Sequence, residues 1–351
     1  MGSKPTGTVD PASLRRILLR LPNWLGDVCF SAPAAAALAD AAPRADFVAA
    51  CRKSLAPLAA RLPRVTSVVV VDGTTGLRGM LRSAREIKKA RCDAAVVFPR
   101  SIRAAMPVSL ARIPVRVGFA SDARSMFLTH VVRGWKPLRL AHRTAYFGAL
   151  LRPFGLEAPT APWTFTPPPQ SLAWADAWLR EDPRRRKGKP LVAMEPGGAY
   201  GVAKRWPEDR YAALAGRLVR EGTADVVLLG TADMAPLHDR IAAAAKAPLL
   251  KAAGQTDLLQ LSGLLARSSL LVTNDTGPMH LAAAMGTPIV ALFGSTDPAV
   301  CGPKGRGRAT VVYEKVPCSP CYLKECPVEG HPCLDQFDVE RVHALVRSHL
   351  G

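Results

Sequence analysis

Three short segments carry most of the side chains that could do chemistry on a charged substrate. Thr273-Asn274-Asp275-Thr276-Gly277-Pro278-Met279-His280 lies between an apolar run and an Ala-rich stretch. Thr276 is a good N-cap, and Pro278 suits the first helical turn, where its missing N–H costs nothing. The N–H groups of Thr276, Gly277 and Met279, with the positive end of the helix dipole, would form an anion site there. Gly277 would let a phosphate come close to the backbone. The competing reading is an ordinary capped helix with Asp275 as a turn residue.

The second segment, Pro196-Gly197-Gly198-Ala199-Tyr200-Gly201-Val202-Ala203-Lys204-Arg205-Trp206-Pro207, joins three glycines to two adjacent cations. Such cations suit a diphosphate. It is not a Walker A sequence, because no Lys-Ser/Thr pair follows a glycine. The third, Pro22-Asn23-Trp24-Leu25-Gly26-Asp27, has Gly26 as its only glycine and so lacks the GxGxxG dinucleotide fingerprint. It offers a single carboxylate, Asp27, as either a base or a helix cap.

The elements that must hold these segments alternate strand and helix. Apolar runs predict strands at 16–20, 45–51, 65–71, 94–98 and 115–119, with a basic helix over 77–90. Further strands are expected at 191–195, 225–230, 248–251, 270–274 and 289–293. Helices are expected at 207–221, 235–245, 258–266, 277–285 and 336–349, the last opened by Asp338. The strand runs are apolar nearly throughout, which indicates parallel sheets covered on both faces. Open sheets of this kind bind ligands at the C-terminal ends of their strands, and each chemical segment begins at such an end. Five prolines within 159–169 and the Arg-rich stretch 184–187 flank a helix and read as an interdomain connection. The expected divisions are a disordered tail at 1–14, a Rossmann-like domain at 15–168 and a connection at 169–190. A second Rossmann-like domain at 191–335 and a C-terminal helix at 336–351 complete the chain.

A chain of 351 residues accommodates two such domains. Its net charge of +19 is unevenly spread: residues 1–170 hold 25 Lys and Arg against 9 Asp and Glu, and 171–351 hold 22 against 19. A field of that sign attracts nucleic acid, anionic lipid headgroups, or phosphorylated and carboxylated sugars. Few aromatics interleave with the basic residues and no recognition motif is present, so no nucleic-acid partner is expected. No apolar run reaches the roughly 18 to 20 residues of a membrane span, and 1–11 has no apolar stretch followed by a cleavage site. A cytoplasmic protein is expected.

In order along the chain, NWLGD at 23–27, PGGAYGVAKRWP at 196–207 and TNDTGPMH at 273–280 resemble the signatures of the ADP-heptose:lipopolysaccharide heptosyltransferases. These belong to glycosyltransferase family 9, and the likeness is greatest to the heptosyltransferase II branch. RVGFASDARSMFLTH at 116–130 and Ala253-Gly254-Gln255-Thr256 are also similar; Gly198 stands where the family commonly has Ala. The resemblance spans most of the chain. It implies an α/β GT-B fold, two Rossmann-like domains with parallel sheets facing a central cleft. It also implies inverting transfer of L-glycero-D-manno-heptose from ADP-heptose to the heptose/Kdo inner core of lipopolysaccharide. The acceptor would bind the basic first domain and the donor the second.

By the same resemblance Asp27 is the base and Lys204 neutralises the departing diphosphate, helped by Thr276, Gly277 and Met279. Asp275 and His280 would hold donor hydroxyls or orient the loop, Asp233 would contact the ribose, and Asn23, Gly26 and Gly198 would line the substrates. No cofactor is implied for catalysis. The anionic surface of the inner membrane, on its cytoplasmic face, is the expected site of peripheral attachment. Rival readings are a relative with another acceptor or nucleotide sugar, an epimerase of the same fold, and a nucleotide-sugar-binding protein without transferase activity.

Of eight cysteines, Cys29, Cys51, Cys92 and Cys301 are isolated and read as buried apolar residues. Cys318, Cys321, Cys326 and Cys333 cluster, with His331 close by. A cytoplasmic setting argues against disulfides. Two readings stay open: a structural zinc, for which Cys-x-x-Cys is a ligand spacing, or packed reduced thiols in a proline-stiffened loop. Similar Cys-rich segments occur near the C-terminus of many heptosyltransferase II sequences.

Overall fold

Runs of Val, Ile, Leu and Ala in this chain become strands wherever the sequence pattern places them. In the computed structural model, which describes residues 7–72, 76–198 and 200–351, they build two units, Met1–Trp163 and Thr164–Gly351. In the first, β1 (Arg16–Arg20), β2 (Asp46–Cys51), β3 (Val65–Val70), β4 (Ala94–Val97), β5 (Val115–Phe119) and β6 (His130–Val132) form one parallel sheet in the order β3-β2-β1-β4-β5-β6. In the second, β7 (Leu191–Glu195), β8 (Asp225–Leu228), β9 (Leu250–Lys251), β10 (Leu270–Asn274), β11 (Ile289–Phe293) and β12 (Ala309–Tyr313) follow the order β12-β11-β10-β7-β8-β9.

The two orders are the same winding. Each unit starts at the middle of its sheet, works outward to one edge, then returns to build the other side. This is the pair of doubly wound α/β units expected of a GT-B protein. The direction of winding reverses between β1 and β4 and again between β7 and β10. Loops leaving the C-terminal ends there diverge to opposite faces and open a crevice for ligands.

Central strands are apolar because helices cover both their faces: every residue of β7, β10 and β11 is buried. The edge strands β3 and β12 are only half-buried, which is why polar Thr66, Ser67 and Thr310 are tolerated in them. Neither β6 nor β12 is among the expected strands. The first has three residues and opens on His130; the second is an edge whose outer face is wet.

Three expectations need correction. The supposed tail is anchored from Val9, whose N–H donates to the Pro153 carbonyl at 2.8 Å, and Asp10 caps a short 3-10 helix at Pro11–Ser13; residues 1–6 lie outside the described residues. The supposed connection belongs to the second unit. Its helix, Pro169–Glu181, packs so closely on Leu258–Arg267 that a Cβ at Gly263 would lie 2.1 Å from the Ser171 carbonyl oxygen. Arg185 and Arg186 then pair with the buried Asp225 of β8 at 2.6 and 2.5 Å, so the basic patch is pinned to a strand. The C-terminal helix, Val339–Leu350, is capped by Asp338 as expected, but Val342 and Val346 lie in the core of the second unit. The helix Leu25–Ala41 begins within NWLGD. Among the described residues no helix is long and apolar enough to cross a membrane.

Candidate functional site

At the reversal point of the second unit, the loop after β7 meets the loop after β10. Asn274, fully buried at the end of β10, joins them. Its Oδ1 accepts from the Trp206 N–H at 3.0 Å and the Tyr211 hydroxyl at 3.1 Å, while Nδ2 donates to the carbonyls of Pro196 and Gly197 at 3.1 and 3.0 Å. Trp206 is itself fixed by an indole N–H bond of 2.8 Å to the Phe337 carbonyl. The chain between these anchors returns as a short 3-10 turn, Val202–Lys204, that presents Lys204 to the sheet end.

There Lys204 Nζ lies 2.5 Å from Oδ2 of Asp275 and 5.0 Å from the centre of the Tyr200 ring. The same carboxylate oxygen accepts from the Thr296 hydroxyl at 2.8 Å and the Cys301 thiol at 3.5 Å. Nε2 of His280 lies 3.8 Å from Oδ1, within ion-pair reach but beyond a hydrogen bond. Burial alone would raise the Asp275 carboxyl; the His280 ring and the Lys204 charge outweigh it and hold the group well below the usual carboxylate range. An ammonium has three donors, and Asp275 takes one. The others remain for a phosphate.

Beside this pair begins the helix Gly277–Met285. Thr276 is its N-cap residue, as expected, yet its side chain makes no capping bond and pairs instead with the Thr273 hydroxyl at 3.0 Å. No cap therefore competes for the first N–H groups, which is the state an anion site requires. Met279 is fully buried as a whole residue. Gly198, with φ of +151°, lies against Thr276: a Cβ there would be 3.8 Å from Thr276 Cγ2. Asp233 is exposed on the turn after β8, and its charge reaches Glu195 at the end of β7. Glu195 is 5% exposed, and burial raises its carboxyl to about 8.

Behind the lysine stands the cysteine segment. Ala203 N–H donates to the Lys324 carbonyl at 3.0 Å, the Tyr200 hydroxyl to the Tyr322 carbonyl at 2.9 Å, and His331 Nε2 lies 2.9 Å from the Ala203 carbonyl. Gly201 is required by this approach, since a Cβ would lie 2.3 Å from the Lys324 oxygen. Cys318, Cys321, Cys326 and Cys333 are free thiols lining one small cavity with His331 and Ala203. Burial, then the other three thiols, raise Cys333 to about 11. Among the described residues no group of three or more His, Cys, Asp or Glu is disposed to hold a metal ion. The zinc reading finds no ligating set here. The segment buttresses the loop that carries Lys204.

In the first unit the loop after β1 likewise leaves at the reversal point. Asn23 is exposed, and its Oδ1 accepts from Nη2 of Arg20 at 3.2 Å. Burial lowers the Arg20 guanidinium to about 10. Trp24, the N-cap residue, is 53% exposed and offers no capping side chain. Gly26 and Asp27 occupy the first turn of Leu25–Ala41, half-buried, where the helix dipole favours a carboxylate.

Asn274, Glu195, Thr296 and Cys301 were not among the expected site residues. Glu195 had a signal, a lone charge closing an apolar strand. Thr296 follows β11, another C-terminal strand end. Cys301 was read as an apolar core residue, whereas its thiol faces the Asp275 carboxylate.

Comparison with known proteins gives the family. Residues 80–331 match the model of glycosyltransferase family 9 (heptosyltransferase). Lipopolysaccharide heptosyltransferase 2 of Escherichia coli K12 is 30% identical over 304 residues, 81% of this chain and 84% of the relative. Lipooligosaccharide heptosyltransferase 2 of Haemophilus influenzae is 29% identical over 84% and 88%. The structure of E. coli ADP-heptose LPS heptosyltransferase II superposes with a TM-score of 0.79 at 26% identity, covering 96% of this chain and 98% of that one. A family 9 structure from Veillonella parvula reaches 0.82 at 24% identity, over 98% and 99%. With its two doubly wound units and its motif loops at their reversal points, the chain belongs to glycosyltransferase family 9, the heptosyltransferases.

Proposed function

We propose that this enzyme transfers L-glycero-D-manno-heptose from ADP-heptose to the heptose/Kdo inner core of lipopolysaccharide. The observation that carries the reading is the buried Lys204–Asp275 pair beside the uncapped helix at Gly277, in a family whose curated relatives are heptosyltransferases. Transfer proceeds as one displacement with inversion. An acceptor hydroxyl oxygen bonds to the anomeric carbon as the bond to the ADP oxygen breaks. The hydroxyl proton passes to the Asp27 carboxylate, and the electron pair leaves with ADP. Lys204 and the N–H groups of Thr276, Gly277 and Met279 meet the charge that develops on the diphosphate. Asp275 holds Lys204 in place and, with His280, orients the loop around the donor. Asp233 contacts the ribose, Gly198 admits the diphosphate, and Asn23 and Gly26 shape the acceptor side.

Turnover of ADP-heptose with a truncated core glycolipid tests this. Asp27→Asn should lower transfer by roughly two to four orders of magnitude, the usual yield of general-base help, with ADP affinity unchanged. Lys204→Ala should weaken ADP binding and turnover together. An Asp27→Asn enzyme of full activity would sink the base assignment.

A further inference from the structure

Asp275 directly follows β10, and the sheet order gives that strand β7 on one side and β11 on the other. The loop after β7 supplies Lys204. Side chains from beyond β11, unused by the reaction above, reach the same carboxylate. Thr296 follows that strand, and Cys301 ends the helix Pro298–Cys301, whose cap is the Asp297 side chain, accepting from the Ala299 N–H at 2.8 Å. Their donors converge on one atom. Oδ2 of Asp275 accepts from the Thr296 hydroxyl at 2.8 Å and from the Cys301 thiol at 3.5 Å, and Lys204 Nζ donates to that oxygen at 2.5 Å. The thiol also reaches the Asp297 carbonyl at 3.3 Å.

The loop that carries Thr296 is itself held. The Tyr322 N–H donates to the Ser295 carbonyl at 2.8 Å, and the Ser319 hydroxyl donates to that of Gly294. Thr296 and Asp275 are both buried, and the branched Cβ of threonine restricts the torsion that aims its hydroxyl. Burial, then the charge of Asp275, push the Cys301 thiol well above its ordinary value. It therefore stays a neutral donor and brings no negative charge beside a diphosphate. A carboxylate without such contacts turns in a broad, twofold torsional well, and a cation paired with it turns too.

We propose that Thr296 and Cys301 are positioning residues for the donor. They clamp Oδ2 of Asp275, which fixes where Lys204 presents its remaining donors and assigns Oδ1 to a sugar hydroxyl. A carboxylate has about four acceptor sites on its two oxygens. Oδ2, with three donors already, has no room for a fourth, so a hydroxyl of the donor must come to Oδ1, the oxygen nearer His280 Nε2 at 3.8 Å. The demand on geometry is strict, because a displacement of about 1 Å can cost a hundredfold in rate. The inference rests on the reading that ADP-heptose binds here.

Calorimetry of the full chain with ADP tests the clamp. Thr296→Val keeps the shape of the side chain and removes its hydroxyl, so ADP affinity should fall about tenfold, the effect of losing a hydrogen bond to a charged group. Thr296→Ser keeps the hydroxyl and should stay within about twofold of wild type. Cys301→Ala loses a longer bond from a neutral donor and should cost about threefold. A merely loosened core would weaken ADP in any background, whereas a clamp acts through Lys204. In a Lys204→Ala background, Thr296→Val should therefore leave ADP affinity unchanged, because residues that act through one another do not add. In turnover Thr296→Val should lower kcat about tenfold and leave KM for the glycolipid alone. Full ADP affinity in Thr296→Val, or the same loss with and without Lys204, overturns the clamp. A Thr296→Ser protein as weak as Thr296→Val assigns the loss to packing and overturns it too. Wild type that binds no ADP overturns the donor reading and the clamp with it, whereas ADP binding without heptose transfer counts against the proposed reaction alone.

Discussion

Burial raises both carboxyls where the loops after β7 and β10 meet, yet they end on opposite sides of their ordinary values because Lys204 and His280 hold only Asp275 ionised. Asp275 has Lys204 at 2.5 Å and stays charged. Glu195 has no comparable partner and, pushed up to about 8, is largely neutral at pH 7. The sign of its contribution follows from linkage. Between its ordinary value of 4.5 and about 8, the folded chain keeps a proton that the unfolded chain has lost. Stability therefore falls as pH rises through that interval and levels off above it. Glu195→Gln should abolish this term. Urea denaturation from pH 4.5 to 8.5 should show the variant gaining on wild type as pH rises; parallel profiles would place the Glu195 carboxyl in an ordinary environment. Asp275 works the other way. Its contribution is complete above the ordinary carboxylate range and is lost only in strong acid, so it adds no slope near neutrality.

At the scale of elements, what the sequence disclosed was local and what it concealed was distant. Strand ends, the N-cap position of Thr276 and the lysine-bearing loop are each written within a dozen residues, and each was found where expected. Asn274 lay inside a recognised motif, yet its role as the tie to Trp206 and Tyr211 depends on the partners the fold brings. The helix Pro169–Glu181 was assigned to a connection because prolines flank it. Its true allegiance lies in packing on Leu258–Arg267, which no periodicity announces. The buttress behind Lys204 was hidden for the same reason. It yields a prediction: Gly201→Ala must displace the Lys324 backbone or the Val202–Lys204 turn, since 2.3 Å cannot be accommodated by a side-chain shift. ADP affinity should fall about tenfold or more with little change in Tm, as expected when a charged contact is misplaced. Cys318→Ser, on an exposed thiol, should leave ADP affinity alone. Equal affinities for all three proteins would show that the segment does not position Lys204.

Over the whole molecule, charge and topology divide at the same place. No charged residue lies between 164 and 170, so the excess of 25 basic over 9 acidic residues belongs wholly to the first unit and the near balance of 22 against 19 to the second. We expect attachment to the cytoplasmic face of the inner membrane to be a property of the first unit alone. The full chain should float with anionic vesicles at low salt and detach at 1 M salt, where the Debye length is about 3 Å. A fragment of residues 164–351 should bind ADP and stay with the pellet fraction. Flotation of that fragment, or attachment that ignores salt, would refute the division of labour. The fragment must begin at 164, because starting at 191 removes the helix that covers Leu258–Arg267.

Where the Lys324 backbone occupies the space beside Gly201, two stretches from opposite ends of the second unit become a single heritable part. A mosaic gene crossing over between them would join one ancestor's lysine loop to another's buttress, and the loop would lose its footing even if both halves folded. Exchange between Trp163 and Thr164 keeps both stretches in one piece. Diversity in this lineage should therefore arise by exchanges that leave the second unit whole.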